Sequence, residues 1–203
     1  MRGRRLRVIK VGGSLLTFDR LEEALRMWLD SQARAASVFV VGGGAAADAI
    51  REVSRDCGLA DDEAHWLAIR AMSQSANVLH ALFPEARKAA SLASIRAAGC
   101  DGLWIVDPLA LLRNESVELG PERLPHSWAA TSDSIAARIA EAVSADELVL
   151  LKSCSAPEGR SWQEAAEAGY VDAYFPVASA QLRNVRAVNL REACSTRIQS
   201  VIV

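Results

Sequence analysis

The stretch VFVVGGGAAADAI, residues 38–50, carries a β-branched apolar run into three glycines and then into an alanine-rich helix start. Its pattern is strand, tight turn, helix. Gly42, Gly44 and Ala47 also satisfy G-x-G-x-x-A, the spacing of a dinucleotide-binding turn. The same physics, backbone N–H groups facing an anion at a helix start, serves other phosphates equally well. The surrounding sequence has to decide between them.

Upstream, LRVIKV (6–11) is another β-branched run, closed by Gly12, Gly13 and Ser14. Between the two runs, Leu21, Ala24, Leu25, Trp28 and Leu29 fall on one face of a helix predicted from Phe18 to about Gln32. Downstream, helix signals run from Ala45 to Cys57 and stop at Gly58. A long helix follows Asp61 and Asp62, which suit the positive first turn, and ends near Phe83-Pro84. KAASLA (88–93) reads as a weak strand and GLWIVDP (102–108) as a strong one ended by proline. TSDSIAARIAEAVSA (131–145) is predicted helical, ELVLLKS (147–153) a buried strand, PEGRS (157–161) a loop and SWQEAAEAGY (161–170) helical. VRAVNL (185–190) and TRIQSVIV (196–203) are predicted as late strands. Strands alternate with helices, and several are apolar on both faces. The expected fold class is α/β, a three-layer α/β/α sandwich around a mostly parallel central sheet, built as a single domain over 1–203.

A chain of 203 residues with 51% apolar content can bury one good core. A net charge of −2 and a pI of about 6.0 give no reason to expect nucleic acid or an anionic membrane as partner. No apolar run approaches the length of a membrane span. The basic opening MRGRRLR resembles the start of a signal peptide, but Lys10 and two glycines interrupt the apolar stretch that should follow. Cys57, Cys100, Cys154 and Cys194 are scattered and read as free thiols of a reducing cytoplasm. His65, His80 and His126 form no ligand pair at metal spacing, so no metal site is expected.

In open α/β sheets, ligands bind beyond the carboxyl ends of the strands. This chain puts glycine there twice, which suggests two anionic groups or one polyanion held between two loops. The dinucleotide reading has three faults. Its fingerprint follows the second strand rather than the first. The acidic residue expected about 20 positions on, at the next strand end, is missing. It also leaves Lys10 unexplained.

The basic residues are almost all arginine, with lysine only at positions 10, 88 and 152. Lys10 lies at the carboxyl end of the first strand, two residues before the first glycine pair, and Lys152 holds the corresponding place at the end of ELVLLK. Each taken alone is explained as a strand-end lysine reaching to water. Together, beside two glycine loops, they fit phosphoryl transfer, whose catalysis is mostly positioning and charge stabilisation. Two close ammonium groups need a carboxylate between them. Asp133, at the start of the 131–145 helix, is the candidate, although an aspartate there also serves as an ordinary helix cap.

KVGGS (10–14), VVGGG (40–44), TSDSIAARIA (131–140) and LLKS (150–153) stand in the order seen in the amino acid kinase superfamily, which the chain resembles over about residues 6–153. The resemblance implies acceptor binding by the N-terminal half, about 1–145, and ATP binding by a shortened C-terminal half, about 146–203. It implies Lys10, Asp133 and Lys152 as the catalytic set, with Asp133 orienting the lysines. It implies Lys10, Gly12, Gly13, Ser14, Lys152 and Ser153 at the phosphates, and Gly42, Gly43, Gly44, Thr131 and Ser132 at the acceptor. Mg²⁺ would arrive with the nucleotide, and a homodimer or larger assembly is expected.

LPHSWAATSDSIAARIA (124–140) is most similar to a small branch of kinases acting on an aminomethylfuran phosphate, whose acceptor is itself a phosphate. His126, Ser127 and Trp128 would then be acceptor-side contacts, or a loop packing its tryptophan on the core. The chain departs from the family at SCSAPEG (153–159), where a T-D-x-D-G-type stretch commonly holds nucleotide. A ligand-binding subunit without catalysis, and a nicotinamide or flavin enzyme resting on residues 42–47, are the competing readings.

Overall fold

The computed structural model describes residues 5–98, 101–120, 122–157 and 161–193. Six parallel strands form one sheet: β1 (Leu6–Val11), β2 (Ala36–Val41), β3 (Arg87–Ala89), β4 (Leu103–Val106), β5 (Glu147–Lys152) and β6 (Val185–Asn189). Their order across the sheet is β3-β4-β2-β1-β5-β6. The central strands β1 and β2 are buried at every position, which is why their sequences run apolar without alternation.

The helices are α1 (Leu21–Ser31), α2 (Gly44–Cys57), α3 (Asp61–Leu82), α4 (Leu92–Ala97), α5 (Pro108–Leu112), α6 (Glu115–Glu118), α7 (Ser132–Ala142), α8 (Trp162–Glu167) and α9 (Phe175–Ala178). Strand parity sorts the core into two layers. Val8, Val38, Val40, Leu148 and Leu150 pack with α7 residues such as Ile135 and Ile139. Ile9, Val11, Phe39, Val41, Val149 and Leu151 pack with α1 and with Leu79 and Phe83. The three-layer α/β/α sandwich expected from the sequence is therefore the fold. Helix α3 contributes to both layers, through Ile69 and Met72 on one side and Ala76 and Leu79 on the other.

Two local expectations change. The strand expected over 88–93 ends at Ala89, and Leu92–Ala97 is a helix that buries Leu92 and Ile95. Pro108 does more than end a strand. It occupies the first helical turn of α5, and the Asp107 carboxylate caps that helix from Leu109 N–H at 3.1 Å. The expected strand at 196–203, and residues 158–160 of the loop at 157–161, lie outside the described residues.

The sheet topology creates the crevice. From β1 the chain moves to β2 on one flank, and later returns to β5 on the other flank. Gly12–Ser14 and Gly42–Gly44 therefore leave adjacent strands side by side, with β5 ending against them. This is the switch point at which open α/β sheets bind ligands.

Candidate active site

The parity that sorts the core also aims the lysines. Lys10 follows Leu6 and Val8 on one face of β1, and Lys152 follows Leu148 and Leu150 on the same face of β5. That face is covered by α7, whose first turn carries Asp133. The Asp133 carboxylate lies between the two ammonium groups. Lys152 Nζ donates to Oδ2 at 2.7 Å, and Lys10 Nζ sits 2.9 Å from Oδ1 as an ionic contact off the hydrogen-bonding direction. Asp133 and Lys10 are each 4% exposed. Asp133 is thus not a helix cap; its side chain is committed to the lysines.

Burial would raise the Asp133 pKa, but the charges of Lys10 and Lys152 outweigh it and hold the carboxyl below its usual range. Lys152 is pushed down to about 8, by burial first and then by repulsion from Lys10, with Asp133 opposing. Its ammonium also donates to the Tyr170 carbonyl at 2.8 Å and sits 5.2 Å from the Tyr170 ring centroid. A lysine held this way changes charge near neutrality, a common property of functional sites.

The glycines have a use that the sequence did not reveal. A Cβ on Gly13 would fall 2.2 Å from Gly44 N, and one on Gly42 would fall 2.8 Å from Gly13 N. The two loops touch backbone to backbone, so glycine is required first for their mutual approach. Gly44 additionally sits at φ +57°. This packing brings the start of α2 against the end of β1.

A cavity of about 300 Å³ opens beyond these loops. Among its lining residues are Lys10, Gly13, Ser14, Gly42, Lys152 and Ser132, and Gly43, Gly44 and Thr131 also border it. Gly12 and Ser153 stand behind this rim. Gly12 N–H donates to Leu151 O at 2.8 Å, and the Ser153 hydroxyl pairs with that of Ser14 at 2.9 Å. Ser127 and Trp128 line the cavity, and the Arg51 guanidinium lies 4.5 Å from the Trp128 ring centroid. His126 does not line it; its ring stacks on His65, which does.

Three contributors escaped the sequence reading. Asp172 accepts from Thr131 N–H, Thr131 Oγ1 and Ser134 N–H at 2.9, 2.9 and 3.0 Å, and from the Ser134 hydroxyl. It satisfies the first turn of α7 from outside and so fixes the element that carries Asp133. Tyr170 contributes its carbonyl, and His65 a wall of the cavity. No spacing rule marks Asp172 or Tyr170. For His65 a signal existed: it lies four residues before Ile69 and seven before Met72, on the buried face of α3.

Paired lysines, one shared carboxylate and two interlocked glycine loops meet at the switch point of a parallel α/β sheet. The chain belongs to the amino acid kinase family, whose model matches residues 5–155. It is 26% identical over 153 residues to [5-(aminomethyl)furan-3-yl]methyl phosphate kinase of Methanocaldococcus jannaschii, an alignment covering 71% of this chain and 64% of that protein. The fold is shared with UMP kinase from Ureaplasma parvum, at a TM-score of 0.63 and 12% identity over 98% of this chain and 96% of that one. It is also shared with uridylate kinase from Archaeoglobus fulgidus, at 0.60 and 15% identity over 92% of both chains.

Proposed function

We propose that this protein is an ATP-dependent small-molecule kinase that transfers the γ-phosphoryl group to a phosphate or carboxylate acceptor. An acceptor of the aminomethylfuran phosphate kind is the leading candidate, by the sequence likeness to the M. jannaschii kinase. The observation that carries the reading is the Lys10–Asp133–Lys152 cluster at the mouth of the glycine-walled cavity.

In this reading an acceptor oxygen forms a bond to the γ-phosphorus as the bond to the β–γ bridging oxygen breaks, and ADP leaves. A phosphate or carboxylate attacks as an anion, so no general base is required. Lys10 and Lys152 neutralise charge that spreads over the moving group. Asp133 keeps two mutually repelling ammonium groups within reach of one another. Lys10, Lys152, the backbone amide of Gly13, and the hydroxyls of Ser14 and Ser153 would hold the nucleotide phosphates, while Gly12, whose N–H is taken by Leu151 O, would serve the turn rather than bind through its amide. The one carboxylate between the lysines is already committed to them, which suits a Mg²⁺ ion carried on nucleotide oxygens and water. The acceptor lies on the side of Gly42, Gly43, Gly44, Thr131 and Ser132, within the first 145 residues. The nucleotide draws on residues after 146.

The test is ADP release with [5-(aminomethyl)furan-3-yl]methyl phosphate, UMP and N-acetylglutamate as acceptors. Lys10→Ala is expected to lower kcat by about 10²–10³-fold with its fold intact. Full turnover by that variant would remove the mechanism.

A further inference from the structure

One wall of the cavity carries a polar side chain that has no partner among the described residues. His65 is 6% exposed as a residue, and its ring nitrogens, which have no hydrogen-bond partner among the described residues, are not sealed off: Asp133 Oδ1 is the polar side-chain atom there that is both buried and unpartnered. Ring nitrogens that keep access to a cavity and have no protein partner are free to meet water or a ligand. The ring borders the same cavity as Lys10 and Lys152, where a ligand can reach it.

The ring is also held firmly. His126 stacks on it with centroids 4.4 Å apart and planes 11° from parallel, and Trp66 meets both rings edge-on. His126 Nδ1 lies 2.5 Å from Asp62 Oδ1, and since a carboxylate only accepts, that nitrogen carries the proton. The His126 ring is thus tied to α3 at Asp62 while it presses on His65, one turn further along the same helix. Burial first, and then the His126 charge, push the His65 pKa down to about 4, against an opposing pull from Asp62. The imidazole is therefore neutral at pH 7, with one N–H to donate and one lone pair to accept.

We infer that His65 determines acceptor specificity: it demands a hydrogen-bonding substituent on the acceptor where the acceptor meets this wall, and His126 and Asp62 are its positioning residues. Asp48 lines the same cavity and has no partner among the described residues, so a donor substituent would meet both groups. A site built to hydrogen-bond a substituent rejects analogues lacking it far more strongly than an apolar pocket rejects a missing methylene, because the bound analogue covers its polar group and leaves it unpaired. This inference rests on the kinase reading for its kinetic form and on the cavity alone for its binding form.

The experiment compares [5-(aminomethyl)furan-3-yl]methyl phosphate with its 5-methyl analogue, which lacks the amine. The protein is expected to prefer the amine by about 100-fold or more in kcat/KM. His65→Phe should flatten that preference and raise acceptor KM at least about tenfold, leaving KM for ATP within about twofold. His65→Asn or His65→Gln should recover part of the preference, and His126→Ala should raise acceptor KM without changing kcat. Calorimetric titration of both furan phosphates and ring ¹⁵N shifts of the histidines run in parallel, with His80 at the other end of α3 as internal control. Turnover with an unchanged preference in His65→Phe would overturn the inference and leave the kinase reading standing. Absence of turnover with every acceptor defeats the kinase reading, and the binding arm then decides. Amine-dependent binding that shifts the His65 ring signals and weakens in His65→Phe sustains the inference. No binding, or binding that leaves those signals unmoved, overturns it.

Discussion

The two ends of one sheet carry the same charge arithmetic and do different things with it. At the amino end, Glu147 on β5 sits between Arg7 on β1 and Arg186 on β6, with each Nε at 2.6 Å. At the carboxyl end, Asp133 sits between Lys10 on β1 and Lys152 on β5. Both clusters place one carboxylate between two cations. At the arginine end each guanidinium is fixed in plane: they lie 5.9 and 5.6 Å from the Trp28 ring centroid, and besides Glu147 they reach Ala33 O at 3.4 Å and Gln32 Oε1 at 2.7 Å. A planar fork locked on its edges and its face is structural. The lysine end keeps donors in reserve. Each ammonium has three N–H groups; Lys152 makes two hydrogen bonds, and Lys10 makes a single ionic contact among the described residues. Spare donors beside interlocked glycine loops can take an anion; the arginine cluster also borders a cavity, of about 590 Å³, but no glycine loop walls it.

The largest expected difference between the two ends comes from removing the shared carboxylate. Asp133→Asn leaves two buried ammonium groups facing each other. It should lower turnover by about 10²–10³-fold and destabilise the fold by about 3–5 kcal/mol, read by ADP release and urea unfolding. Next is the loop contact: Gly13→Ala puts a methyl 2.2 Å from backbone nitrogen, so the loops must part. A loss of about 1–3 kcal/mol and at least about tenfold in kcat/KM is expected, and a variant matching the parent in both would show that the loops can separate without harm.

The pH profile is the third discriminator. The Lys152 pKa of about 8 lies below its ordinary 10.5, so its charge is lost as pH rises through about 8. Turnover should fall along that limb in kcat/KM. Over the window from about 8 to 10.5 the unfolded chain binds more protons than the folded one at this residue, so its contribution to stability rises with pH. Activity and this stability component should move in opposite directions, which general alkaline unfolding would not produce. Asp133 works at the other extreme. Its lowered pKa adds stability present above the ordinary aspartate range, lost as pH falls through the folded value. The smallest effect belongs to the arginine end. Glu147→Gln should cost about 1–2 kcal/mol, since Arg186 is partly solvated, and leave turnover within about twofold.

Much of the site was legible because it sits where strand sequences end. Lys10 and Lys152 stand out as two of three lysines in an arginine-rich chain, and each closes an apolar run next to small residues. The strand expected over 88–93 stops at Ala89 because the alanines that follow favour helix over strand. Burial of Leu92 and Ile95 at helical spacing decided for a helix. Asp172 was invisible because its partners, Thr131 and Ser134, lie some forty residues earlier and no local pattern links them.

The sequence by itself determined the alternation of apolar strands and helices, the glycine pairs that end two strands, and the residue types at the lysine cluster. Period-2 geometry already placed Lys10 and Lys152 on equivalent faces of their own strands. Tertiary structure alone decided that β1 and β5 are neighbours, that Asp133 turns inward between them, and that His65 closes the cavity. Those contacts join residues up to about 140 positions apart, and the free energy that selects them is burial of the sheet under α3 and α7. No local spacing can encode that choice.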